Sequence, residues 1–182
     1  DLNLNLLRDA GEPSATTDAG GAYALELTAA QTACLAYVPV VADVPVGAMD
    51  SDLGEVTQAY KMVLPPRFDA VDNSQLIITP LTTVVWDEIN KIIEQASIAG
   101  SSCASIAADE GLAERVSGAL ESAIRNTVRH YNISATSIFK DYIALNDTEA
   151  STAAADIVRG LKRSLAATSA LRAQYPSADW AF

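Results

Sequence analysis

The sequence predicts an α+β fold, with a small N-terminal β-sandwich-like part followed by a three- or four-helix unit. Residues 1–78 contain short runs of strand-forming residues between turn residues and prolines, whereas from residue 79 apolar residues recur at helical spacing. Of the 182 residues, 49% are hydrophobic, which is enough for a buried core. We therefore predict a β domain over residues 1–78 and an α-helical domain over residues 79–182.

The first predicted strand follows a turn. Residues 18–21, DAGG, favour a tight turn, and apolar residues then alternate with others at Tyr23, Leu25 and Leu27. This alternation is typical of a strand with one buried face.

Two further β segments are bounded by prolines. Residues 38–46 are rich in valine, but Pro39 and Pro45 limit the segment to an edge strand or to two short strands. A later strand is predicted over residues 59–66, AYKMVLPP, followed by a polar loop over residues 67–75.

Four helices are predicted in the second part. The first begins at Pro80, and the second runs from about residue 106 or 109 to residue 131. A short third helix has Ser134 as its N-cap, and a fourth, from about residue 148 to 171, has Asp147. The apolar stripes are Leu81, Val85, Ile89, Ile92, Ile93 and Ala96; Val116, Leu120, Ile124, Val128 and Tyr131; Ile138, Phe139, Tyr142 and Ile143; and Ile157, Leu161, Leu165 and Thr168. In the tail, Trp180 and Phe182 are candidate docking anchors.

The net charge of −11 argues against a nucleic-acid or anionic-membrane partner, since both need a basic face. No run approaches 18 apolar residues, so we expect no membrane insertion. Residues 1–78 hold 11 acidic and 3 basic residues, a net charge of −8. Residues 79–182 hold 12 acidic and 9 basic residues, a net charge of −3. The concentration of carboxylates in the first part fits a hard cation as well as solubility.

The two cysteines, Cys34 and Cys103, lack the spacing of a metal site. They fit one disulfide in an oxidising compartment, and the alternative is two buried free thiols. A bridge would link the β part to the α part and stabilise the fold by roughly 4 kcal/mol in the chain-entropy model.

The chain opens with DLNLNLLRDAGE, a twelve-residue frame that matches a calcium loop of the EF-hand type at every position except the sixth. Calcium is a hard cation that takes six to eight oxygen ligands, and short Asp and Asn side chains supply them while the backbone curls round the ion. The alternative is an acidic surface turn. The predicted ligands are Asp1, Asn3, Asn5, the Leu7 carbonyl, Asp9 and a bidentate Glu12.

The sixth position normally holds glycine, because the backbone turns there with positive φ. Leu6 occupies it in this chain, at a cost of roughly 1–2 kcal/mol. Together with only three carboxylates, this predicts a weak affinity, on the order of 10⁻⁴ M.

The first 25 residues resemble a stretch, D-x-N-x-N-G-x-x-D-x-G-E-P…T-D-x-x-G-x-Y, found in bacterial surface and secreted proteins with calcium-binding transthyretin-like, or B-type repeat, modules. The resemblance implies an extracellular, calcium-stiffened β module, in which a strand usually precedes Asp1 and is missing from this chain. That absence would leave an edge open to other protein chains, including a second copy. The matching residues are Asp1, Asn3, Asn5, Asp9, Glu12, Pro13, Thr17, Asp18, Gly21 and Tyr23.

Other chemistry has little support in the sequence. His130 is the only histidine, so it has no second histidine with which to build a zinc site. A serine triad is not supported either, because the sequence has no G-x-S-x-G motif. We therefore expect His130 on a helix surface. The pair Asp87 and Glu88 is expected on a solvated helix face. Asn132 and Asn146 fit glycosylation patterns, but both also stand at predicted helix boundaries.

Three functions follow as expectations. The first is a non-enzymatic extracellular structural or adhesive protein, secreted or on a bacterial cell surface, with a calcium-stiffened β module. The second is a subunit of a bacterial surface filament or extracellular complex that a neighbouring chain completes. The third is an accessory domain of a secreted hydrolase.

Overall fold

The computed structural model of the chain describes residues 1–50, 54–66, 76–95 and 101–175. Within them a small N-terminal β part with two sheets precedes a helical region, which confirms the α+β fold class. The predicted loop over residues 67–75 and the two tail aromatic residues lie outside these ranges. The division into two domains stays a prediction.

The larger sheet pairs β1 (Val40–Val44) with β4 (Tyr60–Leu64) in antiparallel fashion. Val41 faces Val63 across the pair, and the Val63 N–H donates to the Thr83 hydroxyl at 3.0 Å. The edge of β4 that faces away from β1 is therefore bound to a residue of the helical region.

A second, smaller sheet lies between these strands in the chain. It pairs β2 (Met49–Asp50) with β3 (Gly54–Glu55), and the segment before it is closed by a bond from the Gly47 N–H to the Val56 carbonyl at 2.8 Å. Pro39 and Pro45 stand just before and just after β1, so the prolines bound the strand as their missing N–H groups require.

A short helix, α1 (Ala29–Cys34), stands where the sequence pattern indicated a β stretch. It begins with a capping box, in which Thr28 and Gln31 each bond the other's backbone N–H. Residues 22–28 before it show the predicted alternation of exposure but form no strand with any described residue. An alternating segment becomes a strand only where a partner is available to pair with it.

The helical region contains three long and two short helices in its described part. They are α2 (Pro80–Gln95), α3 (Cys103–Ala107), α4 (Glu110–Tyr131), α5 (Ala135–Ile138) and α6 (Thr148–Gln174). Four of them correspond to predicted helices, whereas α3 begins at Cys103, before residue 106 or 109, where the second helix was predicted to start. Helix α2 packs against α4, α6 and β4, so it is the centre of the structure.

The helix ends carry the predicted caps. The Ser134 hydroxyl accepts from the Ser137 N–H at 3.2 Å, and Asp147 accepts from the Ala150 N–H at 3.1 Å. Asn132 and Asn146 have φ of 54° and 52°, a left-handed conformation that asparagine tolerates better than most residues. This explains asparagine at both boundaries without a modification.

One apolar cluster joins most of the buried residues. The apolar stripe of α2 is its centre, since Leu81, Val85 and Ile89 are fully buried. Among the described residues up to Pro66, only Leu4 and Val63 join the buried part of this cluster. Ile143, which we predicted inside the third helix, is 59% exposed because α5 ends at Ile138. No described helix is long and apolar enough to cross a membrane.

Cys34 and Cys103 form a disulfide, with their Cα atoms 5.7 Å apart. The bond joins the last residue of α1 to the first residue of α3, so it links the N-terminal part to the helical region as predicted.

Candidate calcium-binding loop

Residues 1–12 curl through a series of side-chain-to-backbone hydrogen bonds at the odd positions. The Asp1 carboxylate accepts from the Asn3 N–H at 2.9 Å, the Asn3 side-chain Oδ1 accepts from the Asn5 N–H at 3.2 Å, and the Asn5 side-chain Oδ1 accepts from the Leu7 N–H at 2.7 Å. Short Asp and Asn side chains favour such turns because they reach the backbone two residues on. The spacing seen in the sequence is therefore the spacing that bends this backbone.

The sixth position has the conformation that the calcium-loop frame requires. Leu6 has φ of 57°, and its N–H donates to the second oxygen of Asp1 at 2.6 Å. Leu4 also has positive φ, 61°, at a position where no motif predicts it. Leucine is strained in this region of backbone conformation, so other contacts must hold both residues there.

The Glu12 carboxylate closes the loop. One of its oxygens accepts from the Leu2 N–H, and the other accepts from the Asp9 N–H at 3.1 Å. The Glu12 N–H in turn donates to the Asp9 carbonyl at 3.2 Å. Both ends of the loop are thus joined through the residue predicted to be the bidentate ligand.

Asp9 lies opposite the two asparagines. One oxygen of its carboxylate accepts from the Asn3 amide at 2.7 Å and from the Asn5 amide at 2.8 Å. The structure thus brings together all five predicted side-chain ligands, Asp1, Asn3, Asn5, Asp9 and Glu12, in one hydrogen-bond network. Leu7, the sixth, enters the network through its N–H.

The donor set fits calcium by its chemistry. The five side chains offer only oxygen as ligand atoms, three of them as carboxylates, and calcium prefers oxygen ligands. An amide oxygen that accepts one backbone N–H keeps a second lone pair for a cation. No group of three or more His, Cys, Asp or Glu side chains in the described parts of the chain is arranged to hold a metal, so the two asparagines are essential to this loop as a candidate site.

The loop is anchored to the rest of the protein at its start, where the Asp1 amino group donates to the Pro39 carbonyl at 3.5 Å, and at three further points. Leu4 is 4% exposed and packs in the apolar cluster. Lys61, on β4, donates to the Leu6 carbonyl at 2.7 Å and pairs with Asp43 at 2.9 Å. Gln31, on α1, donates to the Gly11 carbonyl at 3.2 Å. These contacts hold the strained backbone in place, and the sequence spacing gave no indication of them.

The rest of the matching segment has a structural role. The Asp18 carboxylate accepts from the N–H groups of Gly20 and Ala22, at 2.8 and 2.9 Å, and Gly21 takes the positive φ of this turn, 81°. Tyr23 donates its hydroxyl to the Leu76 carbonyl, and burial raises the pKa of this phenol. The turn and the tyrosine therefore hold the segment that follows the loop against the start of the helical region.

An open groove of about 600 Å³ between α2 and α4 holds the single histidine. His130 is exposed in the last turn of α4, its ring centroid 4.6 Å from that of Tyr131. Glu88 pairs with Lys91 at 2.9 Å, and burial raises the pKa of the neighbouring Asp87. The groove is wide open, and Glu88 and His130 are exposed there, as expected for a helix surface, whereas the carboxylate of Asp87 is partly desolvated.

The chain matches no family model, no curated protein and no solved structure.

Proposed function

We propose that this chain is a non-enzymatic extracellular structural or adhesive protein, secreted or on a bacterial cell surface, whose residues 1–12 bind one calcium ion. The observation that carries the proposal is the network that joins Asp1, Asn3, Asn5, Asp9 and Glu12 around one turn of backbone. The disulfide supports an extracellular location, since such bonds persist in oxidising compartments.

The loop residues would hold the ion through side-chain oxygens of Asp1, Asn3, Asn5, Asp9 and Glu12 and the Leu7 carbonyl. A bound calcium ion would add positive charge to a loop that carries three carboxylates. Because Leu4, Lys61 and Gln31 attach the loop to the core, to β4 and to α1, an ion there would stiffen the junction of all three. Stiffening of this kind suits a module that transmits force or presents a surface.

The alternative is a subunit of a surface filament or complex that a neighbouring chain completes at the β edge. Among the described residues β1 has β4 as its only strand partner. Val46 and Met49, which follow β1, are 63% and 76% exposed, so apolar side chains lie beside this strand. Light scattering at high protein concentration distinguishes the two functions. A structural or adhesive protein that acts alone should be a monomer, whereas a filament subunit should associate. Val41→Pro should abolish this association, because proline lacks the N–H that a strand edge donates.

Calorimetry and thermal unfolding test the calcium site. With Kd on the order of 10⁻⁴ M, about 10 mM calcium should stabilise the fold by about 2.7 kcal/mol, because the ion binds only the folded loop. Glu12→Gln should remove most of this increment, since a neutral amide cannot supply two anionic oxygens.

The matched control is Glu114→Gln, which makes the same change on the exposed face of α4. It should keep the full calcium increment. The quantity to compare is the stability gained when calcium is added. Stability without calcium is not a fair comparison, because Glu12 also accepts two backbone hydrogen bonds that the substitution would weaken. No heat at millimolar calcium, with melting unchanged by a chelator, would show that the loop binds no calcium.

A further inference from the structure

The helix α1 lies between the candidate calcium loop and the disulfide. Gln31 has two roles in it: its side-chain oxygen accepts from the Thr28 N–H at 2.9 Å, and its side-chain amide donates to the Gly11 carbonyl at 3.2 Å. The Gly11 carbonyl belongs to the peptide plane that leads into Glu12. Gln31 therefore orients the residue predicted to give two oxygens to the ion.

The position of α1 depends on the disulfide more than on packing. The helix has six residues, none of them buried, and a helix this short is not stable alone. At its other end Cys34 is bonded to Cys103, which is 8% exposed and begins α3. Helix α3 in turn places Ile106, 1% exposed, in the apolar cluster. A continuous path thus runs from the core through the disulfide and α1 to Gly11.

We propose that the Cys34–Cys103 disulfide and calcium binding by residues 1–12 are thermodynamically coupled through Gln31, so that the reduced protein binds calcium more weakly. This inference rests on the proposed function. In the reduction, a dithiol breaks the sulfur–sulfur bond with two electrons, each cysteine sulfur takes up one proton, and the dithiol is oxidised to its own disulfide. Released from α3, α1 no longer holds Gln31 against Gly11.

The coupling is reciprocal, because it is one free energy shared by the two sites. Loss of one neutral hydrogen bond that orients the loop corresponds to an affinity about fivefold lower. By linkage, saturating calcium should then make the disulfide harder to reduce by about 20 mV, which is that fivefold factor for a two-electron couple.

The test is calcium titration of the oxidised and the reduced 182-residue chain by calorimetry, for the wild type and for Gln31→Met. Reduction should raise the Kd of the wild type about fivefold. Gln31→Met should bind calcium about as weakly when oxidised as the reduced wild type does, and its reduction should change the Kd less than twofold. Equilibration with a dithiol, with and without calcium, measures the reduction potential of the disulfide. Calcium should shift this potential by about 20 mV in the wild type only.

Gln31→Glu and Gln174→Met sharpen the result. Glutamate keeps the acceptor for the Thr28 N–H but has no donor for the Gly11 carbonyl. The Kd for calcium of the reduced variant should therefore equal that of the oxidised variant. This ratio of about one is expected even if the added negative charge changes both affinities. Gln174 is exposed at the end of α6, and its replacement should leave the fivefold ratio intact.

Four outcomes decide between the coupling, its route and the proposed function. Equal affinities of the oxidised and reduced wild type would overturn the coupling while calcium binding stands. A fivefold ratio that persists in Gln31→Met would overturn the route through Gln31. If reduction unfolds the chain, oxidised Gln31→Met, whose disulfide is intact, still decides: unchanged affinity overturns the proposal, and weaker binding supports it. An oxidised wild type that binds no calcium would instead refute the proposed function.

Discussion

The N-terminal part and the helical region are held together by different physics. The helical region buries continuous apolar stripes, and Leu81, Val85 and Ile89 have no solvent exposure. Among its described residues, the N-terminal part contributes Leu4 and Val63 to the buried cluster and buries a few further side chains outside it. It also depends on the pairing of β1 with β4, on side-chain-to-backbone hydrogen bonds, on one lysine and on one disulfide. Apolar burial tolerates approximate geometry, whereas the polar devices need specific atoms at specific places.

This difference predicts that single truncations in the helical region have the largest effects. Ile89→Ala should lower the free energy of unfolding by about 3 kcal/mol, because the removed methylene groups leave a cavity in the centre of the cluster. Urea denaturation followed by circular dichroism measures the change.

Ile143→Ala is the matched control for this prediction. Ile143 is 59% exposed, so its truncation should change stability by less than about 0.5 kcal/mol. Similar losses for the two variants would contradict the view that burial on α2 dominates stability.

The same difference explains how much of the fold was predictable. The stripe of α2 and the caps at Ser134 and Asp147 follow from local pattern, since a helix closes its hydrogen bonds within its own segment. The strand predicted from the alternation of Tyr23, Leu25 and Leu27 was wrong, because this segment pairs with no described residue and a strand needs a partner elsewhere in the chain. Helix α1 was missed, although its capping box, Thr28 to Gln31, is a readable start signal.

The candidate loop was predictable for a similar reason and to a similar extent. Its ligand spacing and the positive φ of Leu6 follow from a motif in which each residue acts on neighbours a few positions away. Its anchors, Lys61 on the Leu6 carbonyl and Gln31 on the Gly11 carbonyl, join residues 55 and 20 positions apart. A side chain that binds a distant backbone carbonyl leaves no periodic pattern in the sequence, so only the structure shows it.

A smaller effect tests whether the loop belongs to the same cooperative unit as the helices. Leu4→Ala should lower the free energy of unfolding by about 2 kcal/mol, because Leu4 is 4% exposed in the shared cluster. Alanine is strained at positive φ much as leucine is, so the change reports burial.

The control is Leu7→Ala, three residues along the same loop. Leu7 is 61% exposed, and its truncation should change stability by less than about 0.5 kcal/mol. If Leu4→Ala also leaves the unfolding curve unchanged, the loop is not part of the core that the helices share.

The smallest predicted effect concerns a charge in the helical region. Burial raises the pKa of Asp87 above its ordinary value of 3.8, and Glu88 adds to the rise while Lys91 opposes it. The folded state therefore binds a proton more tightly than the unfolded chain, which stabilises the fold below about pH 3.8 and is lost as pH rises through the folded pKa. Asp87→Asn should raise the melting temperature at pH 7, and this gain should vanish near pH 3.

The effect should stay below about 1 kcal/mol, because Asp87 keeps much of its solvent contact.

Asp147→Asn should change the melting temperature at pH 7 in the opposite direction. Hydrogen bonds from Ser137 and from the Ala150 N–H lower the pKa of Asp147, so its charge stabilises the fold above the ordinary value of 3.8 and the benefit is lost as pH falls through the folded pKa. Asp147→Asn should therefore lower the melting temperature at pH 7 and converge on the wild type in acid. Melting curves of both variants from pH 3 to pH 7 measure the two trends. Parallel pH profiles for the two variants would mean that at least one of the two carboxylates is not perturbed in the predicted direction.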